Sequence, residues 1–179
     1  MAGDGFVGNP PIIDAFIKDG AVIGPRADFG QAGLALAVRA GAPKPDIKTV
    51  EAFKRALIAT NKVAFPGKGA SGIYFVGLLH RMGIATEMKS KLKPMEAEDT
   101  VEVVTRGEAD MVVVVATRIT DVPGVEVVGP IPEELQTKIG FAAGLSAKAK
   151  EPDAGKALIR FLTAPAAAAT LRAKGVDPI

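Results

Sequence analysis

Residues 63–72 read Val-Ala-Phe-Pro-Gly-Lys-Gly-Ala-Ser-Gly: a short apolar strand, a glycine-rich loop, and a helix opening at Ser71–Gly72. The first amides of a helix have no acceptor within it, and the helix dipole favours negative charge at that end. A pocket for a small anion is the chemistry this arrangement offers. Gly67, Gly69 and Gly72 also match the G-x-G-x-x-G spacing of dinucleotide sites. That reading needs an acid on the next strand, about 20 residues on, to hold a ribose. Glu87 has the spacing but falls in a helical stretch, and Glu96 comes late. The Walker A interval fails, because no Gly-Lys-Ser/Thr follows. The loop alone fits either a small-anion pocket or a plain strand-to-helix turn using glycine for its geometry. Ser71 can cap the helix or give its hydroxyl to a ligand. Lys68 either charges the pocket mouth or is a solvated loop lysine.

Other residues with chemical potential are few. His80 is the single histidine, and beside an apolar helical stripe it reads as a packed or half-exposed helix residue. No acid–histidine–nucleophile set assembles around it, and no residues stand at metal-ligand spacing. No catalytic residue, metal or cofactor is expected. Glu96, Glu98, Asp99 and Glu102 form an acidic patch that reads as dipole matching at a helix start. Thr117 and Arg118 directly follow the Val-rich run 111–116. Ligands in open α/β sheets sit beyond the carboxyl ends of strands. Arg118 is therefore placed to meet an anion, or to pair with nearby Asp121.

The elements that must position these residues follow from periodicity. A helix is expected over Ile12–Ile17, stopping at Gly20, and a strand over Ala32–Val38. Thr49 caps a helix to about Thr60 with Val50, Phe53 and Leu57 on its buried stripe. The helix after the loop carries Ile73, Val76, Leu79 and Met82 as its apolar stripe and stops at Gly83. A short helix follows over Ile84–Lys91, then one capped by Asp99 or Thr100 and ending at Gly107. Met111–Ala116 is a strand covered on both faces, Val125–Val128 is another, and Thr137–Ser146 is a long, bending one. Pro152 opens a helix with Ala154, Ala157, Leu158, Phe161 and Leu162 on one stripe, and Pro165 opens a last helix to Lys174. Strands alternating with helices indicate an α/β fold with a mainly parallel sheet.

Composition narrows the functional classes. The chain has 179 residues, 48% of them hydrophobic, with 22 basic against 20 acidic side chains. It can bury a core, and the absence of a long basic run argues against nucleic-acid binding. With no cysteine, disulfides, thiol nucleophiles and thiolate metal sites are excluded. No apolar run reaches membrane-spanning length, so no membrane insertion is expected. With no Trp and one Tyr, ring stacking on a sugar is less expected than a small polar ligand. Met-Ala-Gly-Asp-Gly at the start shows no export-signal pattern.

The order of segments resembles the type II periplasmic solute-binding proteins, in particular the molybdate-binding-like components of ABC transporters. The resemblance is carried by Leu34–Pro43 with Pro45–Thr49, the loop Gly69–Gly72, Val104–Asp110, Val127–Gln136, Ala157–Ala167 and Ala173–Gly175. It covers nearly all of residues 10–179. It implies two lobes with mainly parallel sheets joined by hinge strands, the ligand clamped between them. Residues 1–36 would be a first-lobe portion, 37–136 the second α/β lobe, and 137–179 the second hinge and the helices returning to the first lobe. Against the family pattern the first lobe is shortened at its N-terminus by about one βαβα unit, which in the family carries the first ligand-binding loop.

By resemblance, Lys68, Gly69, Ala70 and Ser71 bind the ligand, Thr117 and Arg118 border the cleft, and Asn9 lies where the family has a further cleft loop. The implied function is recognition of a small anion, an oxyanion such as molybdate or sulfate or a small carboxylate, for ABC-type uptake, with the transporter permease as partner. The alternative is an enzyme on the same scaffold acting on a small carboxylate, with Ser71, His80 and Arg118 its first candidates, or a ligand-sensing module working as a homo-oligomer. The place of action is the periplasm if the family role holds and a signal has been removed, and the cytoplasm if Met1 is the native start.

Overall fold

The Ala- and Val-rich runs Leu34–Val38 and Met111–Val114 form strands that are buried along their length. The computed structural model describes residues 3–179. They divide into two units, one running to Ala32 and resuming at Ile139–Ile179, the other Gly33–Lys138. In chain order the first unit opens with strand β1 (Gly5–Gly8), helix α1 (Pro10–Lys18) and strand β2 (Val22–Ala32). The second unit comprises β3 (Leu34–Arg39), α2 (Val50–Ala59), β4 (Val63–Pro66), α3 (Ala70–Arg81), α4 (Ala85–Met88), β5 (Leu92–Met95), α5 (Glu102–Thr105), β6 (Met111–Val115) and β7 (Val125–Pro130). The first unit then resumes with β8 (Ile139–Ser146), α6 (Pro152–Leu162), α7 (Ala168–Ala173) and β9 (Asp177–Pro178).

The first unit is a four-stranded sheet in the order β1-β8-β2-β9, every pair antiparallel. Ile13 of α1 packs with Val22 and Ala142 in its core, with Phe6 and Phe16 alongside. The Asp4 carboxylate accepts the amides of Lys150 at 2.6 Å and Glu151 at 3.1 Å, which anchors the start of α6. The apolar stripe of α6 is largely exposed: Leu158 is 53% and Phe161 51% exposed, and within the helix only Gly155 is buried. The 3.6-residue pattern identified the apolar face correctly, but a pattern does not say what covers it.

The second unit is a five-stranded sheet in the order β5-β4-β6-β3-β7. Parallel pairing is confined to β5–β4 and β4–β6. The α/β class is as expected, but the sheets are not mainly parallel. Parallel neighbours need a long crossover, and only the helical connections around α3, α4 and α5 supply one. β3 runs against both β6 and β7.

Two local features hold this unit's loops. Thr49 Oγ1 accepts the Ala52 amide at 3.1 Å and caps α2 as expected. Thr100 does not cap a helix: its hydroxyl donates to the Glu96 carbonyl, and α5 is only four residues long. The α2–β4 corner closes on Asp110, whose Oδ2 accepts Thr60 Oγ1 at 3.0 Å, Asn61 N at 2.8 Å and Lys62 N at 2.9 Å. Burial pushes the Asp110 carboxyl up, but the donors from Lys62, Asn61 and Thr60 together hold it below its ordinary value.

A close approach fixes the β4–α3 junction. A Cβ on Gly72 would lie 1.7 Å from the Pro66 carbonyl oxygen, and Gly69 has φ +96° at the helix N-cap. Glycine at 72 therefore lets the first turn of α3 rest on the end of β4. The buried side of α3 is Gly72, Phe75, Leu78 and Leu79, while Ile73 is 71% exposed. The expected stripe through Ile73 is thus rotated, because the contact at Gly72 and the Phe65–Phe75 ring pair, 5.5 Å between centroids, decide which face turns inward.

Gly72→Ala should lower unfolding stability by about 1–3 kcal/mol, since the clash is with backbone that cannot swing away. Gly77→Ala on the same helix meets open space and should gain about 0.5–1 kcal/mol. Chemical denaturation of both variants checks the pair of signs. Asp110→Ala should cost about 1 kcal/mol at neutral pH. Because the folded carboxyl titrates below its unfolded value, this contribution is present above about pH 4 and fades as pH falls further. Denaturation at pH 7 and pH 3 should show the difference between wild type and variant shrinking at the lower pH.

Candidate functional site

The register of the second sheet brings five strand ends to one edge. Pro66 stands opposite Met95, Leu34 opposite Val115, and Ala35 opposite Pro130. Just beyond the strands the backbones stay joined: Gly67 N donates to Met95 O at 2.8 Å, Ala116 N to Gly33 O at 2.9 Å and Ile131 N to Leu34 O at 3.1 Å. The segments that continue from this edge carry Lys68–Ser71, Glu96–Ala97, Thr117–Arg118 and Gln136. Most of the residues singled out from sequence therefore share one edge of one unit.

At its centre is the start of α3. No side-chain oxygen caps this helix start. The helix runs 12 residues, long enough for its dipole to act at Ala70 and Ser71. Ser71 is half-buried and Ala70 exposed. Tyr74, in the second turn of α3, ties the helix to the segment after β7, its hydroxyl lying 2.9 Å from the Leu135 carbonyl and 3.2 Å from that of Gln136. Arg81 donates to the same hydroxyl at 2.8 Å and lies over the ring. Gln136 Oε1 accepts the Leu34 amide at 2.9 Å while Nε2 donates to the Leu34 carbonyl at 2.7 Å. The amide side chain thus replaces a missing strand neighbour at the start of β3.

The charges flanking the helix start are partly matched. Lys68 is neither a bare pocket cation nor purely solvated: its ammonium donates to Glu96 at 2.8 Å. That bond, and the charge of Glu96, raise the Lys68 pKa above its ordinary value. The lysine side chain is 83% exposed, so the pair adds little stability. Thr117 is half-buried in a short 3-10 turn, and the exposed Arg118 beside it donates to the Ala97 carbonyl. Two arms, one after β4 and one after β6, are thereby each tied to the segment after β5.

Two expected residues stand apart from this edge. His80 is exposed on the last turn of α3, nine residues after Ser71, which is about 13 Å along the helix. The structure does not bring the two together. Asn9 belongs to the first unit, where it N-caps α1 through its backbone: its carbonyl accepts Ile12 N at 2.9 Å and Ile13 N at 3.2 Å, while its side chain makes no capping bond. Pro10 and Pro11 open that helix and offer no amide hydrogens. Gln136, Tyr74 and the Lys68–Glu96 pair are the edge features that sequence reasoning missed. A glutamine following Ile-Pro-Glu-Glu-Leu at the end of a strand was the available signal for the first.

Among the described residues no group of three or more His, Asp or Glu side chains is placed to hold a metal ion. The α3 start, the Ser71 hydroxyl and the Lys68 and Arg118 side chains thus lie on segments that leave the same end of this sheet.

Comparison with known proteins places these features in context. The chain is 34% identical over 169 residues to an aconitate isomerase from a Pseudomonas species, covering 93% of this chain and 64% of that protein's length. The fold matches the periplasmic molybdate-binding protein of Azotobacter vinelandii with a TM-score of 0.76 at 15% identity, over 97% of this chain and 77% of that one. It matches the sulfate-binding protein of Mycobacterium tuberculosis with a TM-score of 0.74 at 19% identity, over the whole of this chain and 70% of that one. Residues 3–177 match the family of bacterial extracellular solute-binding proteins, and the chain belongs to that family.

Proposed function

We propose that the chain binds a small anion at the start of α3, as the solute-recognising component of an ABC-type uptake system. The observation that carries the reading is the uncapped helix start at Gly69–Ser71, held on the end of β4 by the contact at Gly72. In this reading the Ala70 and Ser71 amides and the Ser71 hydroxyl hold one face of the anion, and Lys68 and Arg118 add positive charge at the rim. Thr117 offers a further hydroxyl. Backbone donors select charge and size more than chemical identity, so tetrahedral oxyanions and carboxylates both suit this helix start. The partner of such a protein is a transporter permease.

The aconitate isomerase relative favours a carboxylate over a bare oxyanion as the ligand, and it supports a second reading in which the bound carboxylate is isomerised. Binding and turnover are separable. Calorimetry and thermal shift of the folded chain against molybdate, sulfate, phosphate, citrate, cis-aconitate and trans-aconitate test the first. At least one should bind, and Ser71→Ala should weaken that ligand by about tenfold or more, the worth of one hydrogen bond to an anion. Stabilisation by none of them in a folded sample would contradict the proposal. Proton NMR of the two aconitates incubated with the chain tests turnover: interconversion supports the second reading, and binding without interconversion rejects it.

A further inference from the structure

The opposite edge of the second unit's sheet holds a separate cavity of about 620 Å³. It lies where β3 ends at Arg39 and β6 begins at Met111, with the end of α2 closing one side. The strands between the two edges put it on the order of 15 Å from the start of α3. Its size falls in the range of small-molecule sites, and it is an open cleft with a mixed apolar and polar lining. Val38, Pro43, Pro45, Ala56 and Met111 supply the apolar walls.

Three charged side chains line it, and they are not equivalent. Lys44 is ion-paired with Glu126 at 3.2 Å. Asp110 is held by its three donors from the α2–β4 corner. Arg39 makes no ion pair or side-chain hydrogen bond among the described residues. Its guanidinium lies over the turn at Gly107, where a Cβ would come within 3.1 Å of Nη1. Gly107 has φ +75°, so the turn favours glycine and leaves the guanidinium its place. The cavity therefore presents one solvent-exposed cation without an ion-pair partner beside walls of mixed apolar and polar character. Asp110 opposes a second negative charge on any occupant.

We propose that this cavity is a second binding site, taking a monocarboxylate with a compact apolar body, its carboxylate on Arg39 and its body against Pro43, Pro45 and Ala56. The planar guanidinium suits a carboxylate in a two-pronged bond. The proposal is independent of the anion reading for the α3 edge.

The test is an NMR titration of the 15N-labelled full chain with 4-methylpentanoate, with 4-methylpentanamide and acetate as controls. Saturable shifts are expected at Arg39, Ala42, Asn61 and Gly107, with the neutral amide at least tenfold weaker and acetate at least fivefold weaker. Arg39→Gln should weaken 4-methylpentanoate at least tenfold. Should that variant not fold, the comparison of acid with amide on the wild-type chain decides alone. Absence of saturable shifts in the folded chain, equal binding of the amide, or shifts confined to Ala70 and Ser71 would overturn the proposal. Equal binding of acetate would overturn the apolar part of it.

Discussion

The Gly72 backbone lies so close to the Pro66 carbonyl oxygen that no side chain fits between them. That single approach sets where α3 begins and which way its first amides point. It also sets the helix's rotation, and so sends Phe75, Leu78 and Leu79 inward and Ile73 outward. A helix start free to shift would spread its N–H groups over a range of directions. One pinned against a strand end holds them at one spot, and preorganisation of that kind lowers the ordering cost of binding.

The edge around this spot is assembled by backbone more than by charge. Strand ends are joined by amide–carbonyl bonds, Gln136 fills a gap beside Leu34, and Tyr74 fastens α3 to the segment after β7. The ionic part is softer. Lys68 and Glu96 are both well exposed, and salt screens such pairs within about 8–10 Å. Arg118 is committed to a backbone carbonyl. The geometry of the helix start thus persists when ionic strength changes, while the rim cations adjust. The chain's membership in the extracellular solute-binding family accords with the anion site proposed at this helix start.

Much of this was legible in the sequence because it rests on local rules. The loop glycines, the Thr49 cap and the Val-rich central strand each follow from residues within a few positions of one another. What escaped reading is non-local. β5 is four residues long and contains Lys93 and Pro94, so nothing in its composition announces a strand; its partner β4 defines it. β2 carries Gly24, Pro25, Arg26 and Asp28 and is a strand because β8 lies beside it, with bulges in the register. Lys68 and Glu96 are 28 residues apart, and only the β4–β5 pairing makes them neighbours. The direction of β3 against β6 likewise depends on pairing, which alternation of strands and helices does not encode. On α6 the apolar stripe was evident, yet its exposure is a property of the unit and not of the helix.

The most direct measurement is the chemical shift of the Ala70 and Ser71 amides in the 15N-labelled chain while a bound anion is titrated in. The account predicts that these two amide protons move downfield and show the largest changes in the chain, saturating with the same dissociation constant that calorimetry gives. Binding with its largest changes elsewhere, and with Ala70 and Ser71 unmoved, would contradict it.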